Sequence, residues 1–280
     1  CIGNEMDGGW QIGHLTAEEY GRKARESAKI MKMVDNSIQV TVAGSATPEM
    51  PTFPEWDRVV LEHTYDLADY ISIHRYYGYN EKVVTQKDYL HSYLDLENFI
   101  HSVVATADYV KALKRSSKTM LLSLDEWNVW HSHSDRKIDT WDSAPHILEN
   151  NYSLWDALVF SGMMLTMINN ADRLKMGCLA QLVNAIAPIL TKTGGETLKQ
   201  TIYYPYMTGC AYAKGEALKV TVSADSYETV YGDAKAVYAA FSHNAQTGEG
   251  TLFLLNTSGE ENEVTFNLSG FGKLTLVERL

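Results

Sequence analysis

Cysteine is scarce in this sequence, and its scarcity excludes two kinds of cross-link. The 280 residues include three cysteines, Cys1, Cys178 and Cys210, which lie far apart. An odd number of widely spaced cysteines predicts neither a disulfide framework nor a paired-cysteine metal site. This pattern favours a reducing compartment, so we expect a cytoplasmic protein.

Basic residues and long apolar runs are also lacking. There are 24 Lys and Arg residues against 35 Asp and Glu residues, for a net charge of -11, and no basic cluster. Nucleic-acid-binding surfaces carry such clusters, so we predict no nucleic-acid partner. The longest apolar stretch, Leu154–Ile168, contains Asp156 and is shorter than the roughly 20 residues that cross a bilayer. It predicts a buried helix and no membrane partner.

The beginning of the chain lacks an initiator methionine, a charged leader and an apolar signal segment. It opens with Cys-Ile-Gly-Asn-Glu, which is typical of the end of a buried strand. We therefore expect that the first part of a longer protein precedes this chain.

Apolar strand-like runs alternate with helix-like patterns over the first two-thirds of the chain. Thr16 and Glu19 form a capping box, which predicts a helix that continues to about Val34. The other predicted helices are Trp56–Leu67, Asp88–Lys114 and Asn151–Asn170. The predicted strands are residues 1–4, Ser37–Ala43, Tyr70–His74, Met120–Leu124 and Gly177–Val183.

This alternation predicts right-handed βαβ units and a parallel sheet. Polar residues fall where the strands end: Asn4-Glu5, His74, Asp125-Glu126 and Gln181. In a (β/α)8 barrel the active site lies at the carboxyl ends of the strands. A doubly wound sheet is the competing architecture, but no glycine-rich phosphate loop follows a strand.

The pattern changes from about Thr201 to short apolar or alternating segments separated by turns. These predict an antiparallel β-sandwich, jelly-roll-like, in residues 193–280. We predict that residues 1–192 form the second half of a (β/α)8 barrel. The predicted sandwich strands are Leu218–Val222, Val237–Phe241, Thr251–Leu255, Val264–Leu268 and Leu274–Val277.

Two glutamates are the strongest candidates for chemistry, because each follows a predicted strand. Retaining glycoside hydrolysis uses two carboxyl groups about 5–5.5 Å apart, one as acid/base and one as nucleophile. Glu5 and Glu126 would both be directed into one pocket at the carboxyl ends of the strands. The competing interpretation of any single glutamate is a solvated loop residue.

Longer sequence strings carry a resemblance to a known family. The segments are GNEMDGGWQIG (3–13), YISIHRYYG (70–78), LDEWNVW (124–130), AQLVNAIAPI (180–189) and IYYPY (202–206). Together they resemble glycoside hydrolase family 51 of clan A, which consists mostly of α-L-arabinofuranosidases. Gly9 departs from the pattern, since the family commonly has proline there.

The resemblance implies a role for individual residues. Glu5 would be the acid/base and Glu126 the nucleophile. Asn4 would bond the sugar 2-hydroxyl, Tyr76 would bond the nucleophile, and His74 would support the site. Three further residues would contact the sugar: Gln181, Trp130 and, as a weaker candidate, Trp10. On chemistry alone Trp130 could equally be a packing residue, and Gln181 could merely end a strand.

The mechanism requires an ionised Glu126 and a protonated Glu5, so we expect a raised pKa for the Glu5 carboxyl. The resemblance implies no cofactor, a substrate with terminal arabinofuranose, a homo-oligomer (a hexamer, as in relatives) and an intracellular bacterial enzyme. A half-barrel would expose strand edges and an apolar face, so we expect residues 1–280 to be neither stable nor active alone.

Other functions remain as alternatives. A β-xylosidase or an endoglucanase could use the same carboxylate pair, and a non-catalytic carbohydrate-binding protein would need neither glutamate. His131, His133 and Asp135 could suggest a metal site, but two histidines in a polar loop without a further ligand favour no metal. Ser45 does not lie in the GxSxG motif of serine hydrolases.

Overall fold

A computed structural model describes residues 1–131, 141, 143, 145–272 and 274–280. The first part contains a four-stranded parallel sheet whose strands lie side by side in chain order. Ile2 forms a parallel bridge to Val42, so the start of the chain borders the first strand. The strands are β1 (Thr41–Ala43), β2 (Tyr70–Tyr77), β3 (Leu121–Val129) and β4 (Leu174–Leu179).

Helices connect these strands, as the alternating pattern predicts. The Thr16–Glu19 capping box starts the first helix, which confirms that prediction. The helix predicted over Asp88–Lys114 is divided into two at His91 and Ser92. In the described residues, no helix combines the length and apolar character needed to cross a membrane. The helices are α1 (Ala17–Val34), α2 (Glu55–Thr64), α3 (Gln86–Leu90), α4 (Tyr93–Leu113) and α5 (Leu154–Asn169).

The two faces of the parallel sheet have opposite character. Outward side chains such as Ile71, Ile73 and Leu122 share one apolar core with buried residues of the helices. The other face is polar and borders a cavity of about 260 Å³. Strands in chain order with helices packed on one face do not fit the doubly wound alternative. The cavity is lined by Cys1, Gln39, Thr41, Tyr70, Ser123, Asp125, Met176 and Cys178.

A β-bulge interrupts β3 beside the polar face. Ile73 of β2 pairs with Leu124, but the next residue, His74, pairs with Glu126, so Asp125 is the additional residue. In a regular strand Asp125 and Glu126 would point to opposite faces. Here both side chains approach His74. The bulge therefore brings two consecutive acidic residues to the same face.

The second part contains antiparallel sheets, as predicted. A three-stranded sheet has the order β11-β10-β7, and two hairpins pair β5 with β6 and β8 with β9. The elements are β5 (Ile189–Thr191), β6 (Thr197–Lys199), α6 (Tyr203–Tyr212), β7 (Glu216–Leu218), β8 (Ser226–Thr229), β9 (Gly232–Lys235), β10 (Val237–Asn244) and β11 (Glu249–Asn256).

Three predicted strands of the second part are wrong. The strand predicted over Leu218–Val222 is absent beyond Leu218, where β7 ends. Residues 264–268 and 274–277 are irregular, with a short 3₁₀ turn at Ser269–Phe271 between them. Most of their apolar side chains are exposed, those of Leu276 and Val277 most of all. A strand requires a hydrogen-bonded neighbour, and no described residue pairs with these segments, so their apolar pattern does not produce a ladder.

A small apolar core joins the two parts. It contains Tyr93 of α4, Leu165 of α5, Ala240 of β10 and Leu255 of β11. The Tyr93 ring stacks on Tyr238 with 4.4 Å between the ring centroids. The three-stranded sheet is therefore packed against the helices that cover the parallel sheet.

Candidate active site

Glu5 lies directly after the segment that borders β1. Its φ of +44° is in the left-handed region, which costs a residue with a side chain about 1–2 kcal/mol. One carboxylate oxygen, Oε1, lies 3.0 Å from Nδ1 of His74. The other, Oε2, accepts a hydrogen bond from the indole N–H of Trp10. Both Glu5 oxygens therefore have a fixed donor.

Glu126 faces Glu5 from β3. Its Oε2 accepts a hydrogen bond of 3.0 Å from the Tyr76 hydroxyl and lies 3.6 Å from Nδ1 of His74. A carboxylate oxygen of Glu126 lies within 4.8 Å of one of Glu5. The structure thus brings together the two glutamates that the sequence singles out, at close to the spacing of about 5–5.5 Å known for retaining glycosidases.

His74 lies between the two glutamates and is almost fully buried, at 3% exposure. Its second ring nitrogen, Nε2, lies 3.2 Å from Oδ1 of Asp125 and 3.2 Å from the Ser72 hydroxyl. Burial alone would lower the pKa of the ring. Hydrogen bonds to Asp125 and Glu5 and the charge of Glu126 outweigh it and raise the pKa of His74 to about 9. The ring is therefore a cation at neutral pH.

Asp125 lies on the Nε2 side of His74, on the other side of the ring from Glu5. The Ser72 hydroxyl donates a hydrogen bond of 2.6 Å to its Oδ1. Burial raises the pKa of the Asp125 carboxyl, but the hydrogen bonds from His74 and Ser72 outweigh burial and lower it below its ordinary value. Asp125 is thus an anion that faces a cation.

The pKa of Glu5 differs from expectation. Burial raises it, but hydrogen bonds from His74 and Trp10 together outweigh burial, so the pKa of the carboxyl lies below its ordinary value. The expectation of a raised pKa for this group is wrong. The reason is the cation next to it, which the sequence does not reveal because His74 is 69 residues away.

The aromatic candidates lie around the glutamates. Trp130 is half-buried, and its ring meets the Tyr76 ring edge to face at 5.4 Å. Trp10 is 60% exposed and bonds Glu5 through its indole N–H. Each therefore has one aromatic surface near the carboxylate pair, and that surface is a suitable wall for a sugar.

Asn4 and Gln181 stand apart from the hydrogen-bonded cluster. Both side chains are exposed, Asn4 next to Glu5 and Gln181 just after β4. In the part of the chain that the structure describes, no hydrogen bond joins either of them to Glu5 or Glu126. Their roles as sugar contacts stay predictions.

Asn128 is a supporting residue that the sequence analysis missed. It is fully buried and donates hydrogen bonds through Nδ2 to the carbonyls of Ala180, at 2.8 Å, and Ile186. It thereby connects the end of β3 to the segment that carries Gln181. The sequence feature that could have indicated this role is an asparagine in an apolar strand, two residues after the candidate nucleophile.

One group of three side chains among the described residues could hold a metal ion: Glu5, His74 and Glu126. Both His74 nitrogens already face hydrogen-bond acceptors, and both Glu5 oxygens accept hydrogen bonds. The donor set fits an acid–base cluster. His131 pairs with Asp156, which caps α5, whereas His133 and Asp135 lie outside the described residues.

The chain is similar to known proteins along its whole length. The family model of the α-L-arabinofuranosidase C-terminal domain matches residues 125–280. An intracellular exo-α-(1→5)-L-arabinofuranosidase of Bacillus subtilis (strain 168) is 47% identical over 283 residues, which cover 100% of this chain and 56% of the relative. The corresponding enzyme of Halalkalibacterium halodurans is 50% identical, over 91% of this chain and 51% of its own length.

Solved structures of α-L-arabinofuranosidases are also similar to this chain. A family 51 α-L-arabinofuranosidase from Bifidobacterium longum is 33% identical with a TM-score of 0.86, over 91% of this chain and 53% of that protein. An α-L-arabinofuranosidase from Thermotoga maritima, solved as an arabinose complex, is 29% identical with a TM-score of 0.74, over 91% and 50%. The chain spans about half the length of the curated relatives it matches.

Proposed function

The chain belongs to the α-L-arabinofuranosidases of glycoside hydrolase family 51, and from that membership we propose that the complete protein releases terminal α-L-arabinofuranosyl residues with retention of configuration. The observation that carries the mechanism is the spacing of Glu5 and Glu126, whose oxygens lie within 4.8 Å. A spacing this short leaves no room for a water between acid and base, which inversion requires.

In the first step, Glu126 attacks the anomeric carbon and the glycosidic bond breaks. Its Oε2 is held by the Tyr76 hydroxyl, so the other oxygen, Oε1, is the attacking atom. Glu5 gives its proton to the departing oxygen. The products of this step are the released alcohol or sugar and an arabinosyl ester of Glu126.

In the second step, Glu5 takes a proton from a water molecule, and the water oxygen attacks the anomeric carbon. The ester bond breaks, and Glu126 leaves as a carboxylate. Asn4 would bond the sugar 2-hydroxyl, and Trp130, Gln181 and Trp10 would contact the sugar. Two inversions at the same carbon give net retention.

Glu5 must hold a proton when the first step begins, although its hydrogen bonds lower its pKa. A sugar whose departing oxygen binds at Oε2 would bury the carboxyl further and would compete with the Trp10 indole N–H for that oxygen. Loss of that donor together with further burial raises the pKa of the carboxyl, as an acid requires. The proposal therefore couples protonation of Glu5 to substrate binding.

The domain organisation, substrates, oligomeric state and location of the protein belong to the same proposal. Residues 1–192 would be the second half of a (β/α)8 barrel, supported by the chain-order parallel strands, and residues 193–280 a jelly-roll-like β-sandwich domain. Arabinoxylan, arabinan or their oligosaccharides would be the substrates, in a homo-oligomer, with hexamer as the expected form. A cytoplasmic location is supported by the word "intracellular" in the names of the relatives.

The test is hydrolysis of an aryl α-L-arabinofuranoside by the complete protein and by its Glu126→Ala variant, each with and without azide. We expect an active parent and a variant that is nearly inactive until azide is added. The azide product should be a β-arabinofuranosyl azide, because a small anion then occupies the place of the missing carboxylate. The matched control is Glu62→Ala on α2, away from the polar face, which should retain parental activity.

Three outcomes would contradict parts of this proposal. If the parent does not hydrolyse the arabinofuranoside but cleaves an aryl β-xyloside or β-glucoside, the roles of the two carboxylates remain supported and the proposed arabinofuranoside substrate is contradicted. A Glu126→Ala variant with parental turnover refutes the nucleophile. Binding of arabino-oligosaccharides without hydrolysis of any glycoside would indicate a carbohydrate-binding protein.

A further inference from the structure

The protonation of His74 can be read from its neighbours. Nδ1 faces Glu5 at 3.0 Å and Glu126 at 3.6 Å, and Nε2 faces Asp125 at 3.2 Å. An ionised carboxylate only accepts hydrogen bonds. A ring with carboxylates on both sides is therefore satisfied only when both nitrogens carry hydrogen.

Ser72 fits this arrangement. Its hydroxyl hydrogen is directed to Asp125 at 2.6 Å, which leaves its oxygen lone pairs free to accept from Nε2–H of His74 at 3.2 Å. Both acceptors of the Nε2–H group thus lie on one side of the ring. They hold the ring in one orientation, with Nδ1–H directed at the glutamates.

We infer that Asp125 and Ser72 are positioning residues for the reaction proposed above: they hold His74 as a cation that bridges Glu5 and Glu126. The inference rests on the proposed function for its catalytic consequence. Neither residue touches the reacting atoms, so they act through His74.

A bridging cation addresses the main electrostatic difficulty of the site. Two carboxylates within 4.8 Å repel each other, and without a cation one of them retains a proton. Glu126 must be ionised in order to attack. The cation is lost as pH rises through the pKa of His74, so the alkaline limb of the pH–activity profile depends on Asp125.

Other ionisable groups near the His74 ring also affect the pH–activity profile. The ionisable groups that act on His74 are Glu5 and Asp7, from the segment before α1, and Asp125 and Glu126, from β3. Asp125 is the carboxylate that contacts Nε2, and it has no proposed role in bond making. Its charge can therefore be removed without removing a reacting group.

The experiment compares Asp125→Asn with the parent in the complete protein. Asparagine retains an oxygen acceptor and nearly the same shape but removes the charge. We expect the pH midpoint of C2-hydrogen exchange at His74, measured by mass spectrometry, to fall by at least about one unit. We also expect kcat/KM to fall at least about tenfold, mainly in kcat, with the alkaline limb moved to lower pH.

Two further variants sharpen the test. Ser72→Ala removes one acceptor and should shift the same two measurements in the same direction by smaller amounts, which keeps the inference testable if Asp125→Asn does not fold. Asp69→Asn is the matched control, because Asp69 bonds Lys32 and the Val40 amide at the opposite end of β2. It should change neither the His74 midpoint nor the shape of the pH profile.

The outcomes separate this inference from the proposed function. An unchanged His74 midpoint in both Asp125→Asn and Ser72→Ala overturns the inference, whatever the activity. A shifted midpoint with unchanged kcat/KM and an unchanged alkaline limb also overturns it, since His74 would then be held without effect on the reaction. A parent that does not cleave arabinofuranosides, together with a shifted midpoint, overturns the proposed function and leaves the hold on His74 supported.

Discussion

Alternate residues of β2 place four polar side chains on one face of the strand: Tyr70, Ser72, His74 and Tyr76. The contacts of each side chain depend on its position along the strand. Tyr76, near the carboxyl end, bonds Glu126. Tyr70, at the other end, bonds Gln39 at 3.2 Å. The same residue type thus occurs twice on the same face, once at the candidate site and once away from it.

This pair offers a controlled substitution. Tyr76→Phe removes the hydroxyl that orients the proposed nucleophile and stabilises its charge, so kcat on an aryl α-L-arabinofuranoside should fall by about 100-fold. Tyr70→Phe should leave kcat within about twofold. Steady-state kinetics of both variants check this, and equal losses would show that the hydroxyl of Tyr76 has no special role.

The pKa of His74 gives a prediction for stability. It is raised to about 9 from an ordinary value of 6.5, so the stabilisation from its charged contacts is full below pH 6.5 and is lost as pH rises through 9. At about 1.4 kcal/mol per pKa unit, the contribution is up to about 3 kcal/mol. The unfolding free energy of the parent relative to His74→Gln should therefore decrease by that order between pH 6 and pH 9.5 in urea titrations. A difference that does not change with pH would contradict the assigned charge.

For individual residues, the sequence predicts which side chains come together but not their charge states. Strand-end positions and short motifs lead to Glu5, His74, Tyr76 and Glu126, which the fold brings together. The low pKa of Glu5 could not be predicted, because it depends on distances to residues far away in the chain. Burial and hydrogen bonding shift a pKa in opposite directions here, and only coordinates show which effect is larger.

Among the elements, α1 and β3 show what local patterns can and cannot predict. The capping box of α1 is local, so the start of that helix was predicted correctly. The bulge of β3 was missed, although the apolar positions shift phase from Leu122 and Leu124 to Trp127 and Val129. That shift is the trace of an inserted residue, since regular alternation would keep apolar residues on even positions.

The helix α6 was missed for a different reason. Pro205 lies in a Tyr-rich segment that has little apolar periodicity, and proline usually argues against a helix. Here proline is in the first turn, where no intrahelical N–H bond is needed. Tyr206, next to it, packs against Phe160 of α5, so tertiary contact rather than local pattern stabilises this helix.

Asn128 gives a prediction at the scale of elements, because it connects β3 to the segment after β4. Asn128→Asp would direct a carboxylate oxygen at the carbonyls of Ala180 and Ile186, where no cation is described. The cost should be about 3 kcal/mol or more in unfolding free energy at pH 8, measured in urea. Asn98→Asp, an exposed position on α4, should change stability by less than about 0.5 kcal/mol. Equal effects of the two substitutions would contradict the role of Asn128.

For the whole molecule, the small core between the helices and the three-stranded sheet determines whether the two parts unfold together. Leu255 is 3% exposed in that core, whereas its neighbour Leu254 points outward from the same strand. The two leucines therefore differ in burial while sharing backbone and strand.

Leu255→Ala should lower the unfolding free energy by about 2–5 kcal/mol, because it leaves a cavity where the two parts meet. Leu254→Ala should cost less than about 1 kcal/mol. Denaturant unfolding followed by fluorescence and by circular dichroism checks this in the complete protein. Equal costs for the two variants would show that the contact between the parts contributes little to stability.

The bulge of β3 has a mechanical consequence for the site. Asp125 and Glu126 are joined by a single peptide bond, so any small displacement of β3 carries both carboxylates in the same direction. The same short stretch of β3 therefore places a carboxylate at each ring nitrogen of His74. A lateral shift of β3 away from β2 would lengthen both contacts together, so the pairing of these two strands determines how firmly the ring is held.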